Sequence, residues 1–139
     1  MFRSLQQTRE RYQQLSASRQ VIAIVDDEPS VLRGLTRLLE TYHFKTETFS
    51  SAEAFLERGE MSDIACIVLD IHMGGMSGIE MRRQLTARGA TVPVIFITAL
   101  DSAAVRRDAL AVGYAALLSK PFSGHELIGA IRKATSLTQ

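Results

Sequence analysis

Asp26, Asp27, Asp70, Thr98 and Lys120 stand at or just beyond the ends of short apolar runs. The runs are Val21–Val25, Ile64–Leu69, Val94–Ile97 and Leu117–Ser119. If they are parallel strands, their carboxyl ends share one edge, where open α/β sheets bind ligands. Three carboxylates, a hydroxyl and an ammonium would then converge. Alone, the carboxylates repel and raise one another's pKa, and burying them is costly unless counter-charges complete the cluster. A hard divalent cation fits the donor set, since Mg²⁺ takes one or two carboxylates plus water and phosphate oxygens. Lys120 adds a point charge on a flexible stem, and the Thr98 hydroxyl can donate to a phosphoryl oxygen. Phosphoryl transfer depends chiefly on positioning and charge neutralisation. A carboxylate can itself be the nucleophile, and Asp70, alone at the end of a central strand, is the best placed. Gly74, Gly75 and Gly78 let the backbone turn closely round it.

These residues need a scaffold that repeats. From Val21 onward, apolar runs alternate with helical patterns. Val31, Leu32, Leu35, Leu38, Leu39 and Tyr42 follow helical spacing behind Pro29, and Lys45–Phe49 reads as a more polar edge strand. Ser50 with Glu53, Ser77 with Glu80 and Ser123 with Glu126 have capping-box spacing. Asp101 is a candidate cap for a helix that Gly113 closes. The last helix spans about Ser123 to Thr135. Five strands alternating with five helices imply a parallel sheet covered on both faces. The expected organisation is an N-terminal extension over 1–20, helical or disordered, one domain over 21–135, and a tail over 136–139.

The 139 residues, 46% hydrophobic and 22% charged with a formal net charge of +1, describe an ordinary globular protein. That balance gives no electrostatic case for nucleic acid or an anionic membrane. The longest apolar stretch is far shorter than the roughly 20 residues a membrane helix needs. No secretory h-region is visible, and the lone Cys66 reads as a buried reduced thiol; both point to a cytoplasmic protein. No metal-ligand spacing connects His43, His72 and His125.

With the motifs in place, the chain resembles the receiver domain of two-component response regulators, similar to chemotaxis regulators and to receivers attached to helix-turn-helix output domains. The matching residues are Val25-Asp26-Asp27-Glu28, Leu69-Asp70-Ile71-His72-Met73 with Met76-Ser77-Gly78, Thr98-Ala99, and Lys120-Pro121-Phe122. The resemblance implies a flavodoxin-like (βα)5 three-layer sandwich with strand order 2-1-3-4-5. It makes Asp70 the phosphoacceptor. Asp27, Asp70 and the His72 carbonyl would hold Mg²⁺ (or Mn²⁺), and Asp26 would reach the ion through water. Thr98 and Lys120 would contact phosphoryl oxygens, and Lys120–Pro121 would be cis. The implied partner is a sensor histidine kinase or a phosphotransfer protein. The chain would then be a signalling phosphoacceptor, catalysing at most its own phosphorylation and slow dephosphorylation.

Two positions depart from the family pattern. Gly74 replaces the usual proline four residues after the phosphoacceptor. Leu117 occupies the place of the aromatic that swings inward as the threonine moves, so aromatic switching is expected to be weakened while phosphorylation survives. His72 and Leu100 flank the phosphoryl position. Signalling is expected through the face of the fourth helix, fifth strand and fifth helix, including Val105, Arg106, Ala109 and Leu117. The alternatives are the N-terminal receiver of a DNA-binding regulator, with no direct nucleic-acid contact by this chain, or a phosphate sink or relay. A phosphorylation-dependent homodimer is left open. A hydrolase would need a cap insertion for which the chain has no room.

Overall fold

The computed structural model describes Leu5, Gln7 and residues 20–136. The expected extension over 1–20 lies outside the described residues but for Leu5, Gln7 and Gln20, as does the tail over 136–139 but for Ser136. The elements alternate as β1 (Val21–Val25), α1 (Pro29–Thr41), β2 (Lys45–Phe49), α2 (Ala52–Arg58), β3 (Ile64–Asp70), α3 (Gly78–Ala87), β4 (Val94–Thr98), α4 (Ala103–Val112), β5 (Ala116–Ser119) and α5 (Gly124–Ser136). The strands form one parallel sheet in the order β2-β1-β3-β4-β5. The expected flavodoxin-like order is therefore found.

Strand composition follows sheet position. All seven residues of β3 are buried, because a central parallel strand is covered on both faces. β2 is the polar edge, with none of its residues fully buried. There Arg58 bridges Glu47 and Asp63 at 3.1 and 2.7 Å.

The period-two alternation of strand side chains divides the core in two. Ile22, Ile24, Cys66, Val68, Ile95 and Ile97 pack against Leu35 and Leu39 of α1 and Leu127, Ile128 and Ile131 of α5. Ala23, Val25, Ile67, Leu69 and Phe96 face Phe55 of α2, Met81 and Leu85 of α3 and Ala109 of α4. Burying a side chain such as Leu39 contributes about 2 kcal/mol. Burial pushes the Cys66 thiol up to about 12, which leaves it unreactive at neutral pH.

The helix starts correct two readings. α2 is capped by Ser51, whose hydroxyl accepts the Ala54 N–H at 3.0 Å, and not by Ser50. The two adjacent serines present the same chemistry one residue apart, and only Ser51 has the extended backbone next to the first helical residue. α4 is capped by Ser102, which accepts the Val105 N–H, because the Asp101 carboxylate is taken by Arg106 and Ser119. The caps at Ser77 and Ser123 are formed as expected. Gly113 closes α4 at φ 82°. Ala109, expected on the signalling face, is instead fully buried under α4.

Candidate functional site

Parallel pairing puts the ends of β1, β3, β4 and β5 on one edge, and the predicted residues meet there. Asp26 and Asp70 are 1% and 4% exposed, and Thr98 is fully buried. Asp27 is exposed at the rim. One carboxylate oxygen from each of Asp26, Asp27 and Asp70 lies within 4.8 Å of the others. Lys120 closes the group, with Nζ 3.4 Å from Asp26 Oδ2 and 3.9 Å from Asp70 Oδ2.

Each carboxylate is held by a backbone donor through one oxygen. The Glu28 N–H donates to Asp26 Oδ1 at 2.9 Å, the Gly74 N–H to Asp27 Oδ2 at 2.9 Å, and the His72 N–H to Asp70 Oδ1 at 3.3 Å. Asp70 Oδ2 faces Lys120 Nζ at 3.9 Å, and Asp27 Oδ1 accepts no hydrogen bond among the described residues. Burial pushes the Asp70 carboxyl from 3.8 up to about 6. Asp26 adds to the rise and Lys120 opposes it. A buried carboxyl crowded by two others, with hard oxygen donors clustered beside it, is a setting a divalent cation relieves. The residues therefore fit a Mg²⁺-type ion.

Thr98 reaches the edge, but its hydroxyl is engaged in its own loop. It donates to the Leu100 carbonyl at 3.1 Å and accepts the Leu100 N–H at 3.0 Å. The Lys120–Pro121 peptide is cis. The His72 side chain is exposed. Leu117 pairs with Phe96 across β4–β5 and packs, half-buried, in the core beneath α4. Tyr114 makes an edge-to-face contact with Phe96, with centroids 6.0 Å apart.

Three features of the edge escape motif reading. The backbone N–H of Gly74 cannot be seen in a side-chain pattern. The Glu53 carboxylate, expected in a capping box, accepts the Met76 N–H at 3.4 Å across the loop after β3. Asp101, expected as a cap, joins α4 to the end of β5 through Arg106 and Ser119.

Residues 22–132 match the family model for the response regulator receiver domain. Response regulator protein TodT of Pseudomonas putida is 38% identical over 117 residues, covering 84% of this chain and 52% of TodT. Transcriptional regulatory protein FixJ of Azorhizobium caulinodans is 37% identical over 111 residues, covering 80% of this chain and 53% of FixJ. The chain thus spans about half the length of these curated relatives. Among solved structures, the response regulator StyR matches with a TM-score of 0.78 at 40% identity, over 84% of this chain and 59% of StyR. The structure titled FixJ-N matches with a TM-score of 0.76 at 32% identity, over 84% of this chain and 93% of that one. Among the described residues no helix is long and apolar enough to cross a membrane.

Proposed function

We infer the function from the family: this chain belongs to the response regulator receiver domain family. On that premise Asp70 is the phosphoacceptor. A histidine kinase, or a phosphotransfer protein downstream of one, presents a phosphohistidine at the sheet edge. An Asp70 carboxylate oxygen attacks phosphorus, the P–N bond breaks, and the imidazole leaves with the bonding pair. What supports this reading above all is the group of three carboxylate oxygens within 4.8 Å of one another, facing Lys120.

Asp27, Asp70 and the His72 carbonyl would hold Mg²⁺ (or Mn²⁺), with Asp26 reaching it through water, and the ion would supply positive charge to offset the carboxylates and the incoming phosphoryl oxygens. Lys120 shifts from its ion pair with Asp26 towards the phosphoryl group. Thr98 gives up its bonds to Leu100 to donate to a phosphoryl oxygen, and this movement carries the signal into the α4–β5–α5 face. Leu117 follows it as a packing residue. The protein acts as a signalling phosphoacceptor, catalysing its own phosphorylation and at most slow dephosphorylation. Its setting is the cytoplasm, with no direct contact to nucleic acid or membrane.

A second reading follows from coverage. FixJ, of which the chain spans about half, is named a transcriptional regulatory protein. The chain then serves as the receiver half of a DNA-binding regulator, with phosphorylation-dependent pairing of two receivers as its output. A phosphate sink remains the third role such a domain can take.

Intact mass after incubation with acetyl phosphate and Mg²⁺, with Asp70→Asn in parallel, tests the reading. The expected result is one phosphoryl adduct that requires Mg²⁺ and is absent from the variant. No adduct under any condition would make the domain a constitutive binding module.

A further inference from the structure

β2 is the outer strand on its side of the sheet and pairs with β1 alone. The Asp26 N–H donates to the Phe49 carbonyl at 3.1 Å, so Phe49 turns its backbone groups to β1. By the alternation of a strand, Lys45 and Glu47 do the same, and Thr46 and Thr48 turn theirs outward. No donor or acceptor meets the N–H and C=O groups of Thr46 and Thr48 among the described residues. Such a row is a template for another strand. Lys45 and Glu47 keep this edge polar, and that disfavours indiscriminate pairing.

Between that edge and α1, which packs against β2, lies a groove of about 290 Å³. Leu32, Arg33, Thr36, Arg37 and Glu40 of α1 line it, with Thr48 of β2. Arg33 and Arg37 are exposed, and neither guanidinium meets a carboxylate among the described residues. They stand four residues apart on one face of the helix, a rise of about 6 Å. Side chains two apart on an extended chain share a face and are separated by about 6.6 Å. The two spacings match.

We propose that this edge is a docking site for an extended acidic peptide of a partner protein, added beside β2 as a sixth strand. Its backbone pairs with the outward N–H and C=O groups of Thr46 and Thr48. Two acidic side chains, separated by one residue, turn towards α1 and meet Arg33 and Arg37. Leu32 offers their stems apolar contact. Glu40, one turn beyond Arg37, repels a third acidic side chain at that end and so fixes the register. In this mode of recognition main-chain bonds supply affinity and alternate side chains supply selectivity. The charge chooses the partner, because two unpaired guanidinium groups attract a pair of carboxylates and repel basic segments. The groove uses none of the residues of the carboxylate cluster and stands independently of the phosphoacceptor reading.

The test uses the palindromic peptide Thr-Val-Glu-Thr-Glu-Val-Thr, capped at both ends, whose sequence fits β2 in either direction. It is titrated into the full chain and followed by backbone amide resonances, with a glutamine-for-glutamate peptide as control. The amides of Thr46 and Thr48 should shift and gain protection from exchange. The glutamate peptide should bind about fivefold more tightly than the glutamine one, the worth of two exposed ion pairs. Arg33→Gln combined with Arg37→Gln should remove that preference. Thr48→Pro should abolish binding of both peptides, since an edge strand tolerates proline but loses the outward N–H. Melting temperatures of the variants report their folding. No shift at millimolar peptide, shifts confined to the Asp70 edge, equal affinity for the two peptides, or undiminished binding to a folded Thr48→Pro chain overturns the proposal. Concentration-dependent shifts of Thr46 and Thr48 without peptide would assign the edge to a second copy of the chain and overturn it too. Should proline unfold the chain, the arginine pair decides: a preference for glutamate that survives their replacement counts against the proposal, and its loss supports it.

Discussion

Asp101 Oδ2 accepts the Ser119 hydroxyl at 2.6 Å, joining the loop after β4 to the last residue of β5. The same carboxylate pairs with Arg106 on α4 through both oxygens, at 2.6 and 2.7 Å. Thr98 precedes this junction by three residues and Lys120 follows it by one. The segments that carry these two residues are therefore joined at the surface by the Ser119–Asp101 hydrogen bond, and Arg106 ties that junction to α4.

That bridge has a pH signature. Arg106 first, then Ser119, holds the Asp101 carboxyl below the usual carboxylate range. A lowered folded-state pKa contributes stability above the unfolded value near 3.8, and the contribution is lost as pH falls through the folded value. Asp101→Asn should melt slightly below the parent at pH 7. The gap should close as pH falls below the unfolded value and through the folded one, and it should narrow in high salt. Paired thermal melts across pH check it; a gap independent of pH would show that packing, not charge, supports the bridge.

Asp70 carries the opposite sign. Its carboxyl is raised from 3.8 to about 6, chiefly by burial and then by Asp26. The metal-free folded state therefore binds this proton more tightly than the unfolded chain does. Stability is fullest below the unfolded value and falls as pH rises through about 6, by up to about 3 kcal/mol. Asp70→Asn should make the metal-free protein more stable than the parent at pH 7, by an amount that grows between about pH 4 and 6. Added Mg²⁺ should stabilise the parent and not the variant. Melts in chelator and in Mg²⁺ read both effects, and equal stability of the two metal-free proteins at pH 7 would contradict them.

Much of this site was legible because its side chains stand at strand ends. An apolar run ending in Asp70, or in Ser119-Lys120, marks both a strand and the edge it points to, and the parallel sheet followed from strict alternation with helices, while its strand order followed only from the family resemblance. What the sequence could not reveal were choices between equivalent groups and contributions of the backbone. Ser50 and Ser51 offer identical hydroxyls, and the turn after β2 decides between them. Asp101 satisfies the chemistry of a cap, but an arginine five residues on and a serine 18 residues on compete for it. Ala109 differs from an exposed alanine only in where α4 lands on the sheet. The Gly74 N–H has no side-chain signature at all.

Gly78 shows how closely α3 approaches the site. A Cβ there would lie 2.4 Å from the Asp70 carbonyl oxygen and 3.0 Å from the Ile71 Cα. Both are backbone atoms at the end of a buried strand and cannot step aside cheaply. Gly78→Ala should cost about 2 kcal/mol or more and displace Asp70. Melting temperature and the yield of the acetyl phosphate adduct should fall together. A variant with parent-like stability would mean that the approach is softer than its geometry.

His43 offers the reverse case. It follows α1 at φ 68°, the one non-glycine residue at positive φ among those described. Its N–H donates to the Glu40 carbonyl and the Phe44 N–H to Leu39, the two bonds of a Schellman closure. Gly89 does the same job after α3 at φ 79°. A side chain in this conformation costs about 1 kcal/mol, and His43 is exposed. His43→Gly should therefore raise stability by about 1 kcal/mol without changing phosphorylation. Denaturant unfolding measures it, and a loss of stability would assign His43 a contact that its exposure conceals.

Leu117 tests how the signal leaves the site. In β5 it sits beside Phe96 and is already packed into the core beneath α4. It has no hydroxyl to exchange partners and no large ring to swing from solvent into a gap. The bonds that must break when Thr98 moves are those to Leu100, and the junction strained next is Asp101 with Ser119 and Arg106. Leu117→Ala should cost about 1–2 kcal/mol, less than a fully buried leucine, and leave the rate of Asp70 phosphorylation within about twofold. With a beryllofluoride mimic, backbone resonances from Thr98 to Ser102 should shift strongly and the Leu117 methyls little. A large inward movement of Leu117, or a phosphorylation rate that collapses with its side chain, would place it in the switch despite its shape.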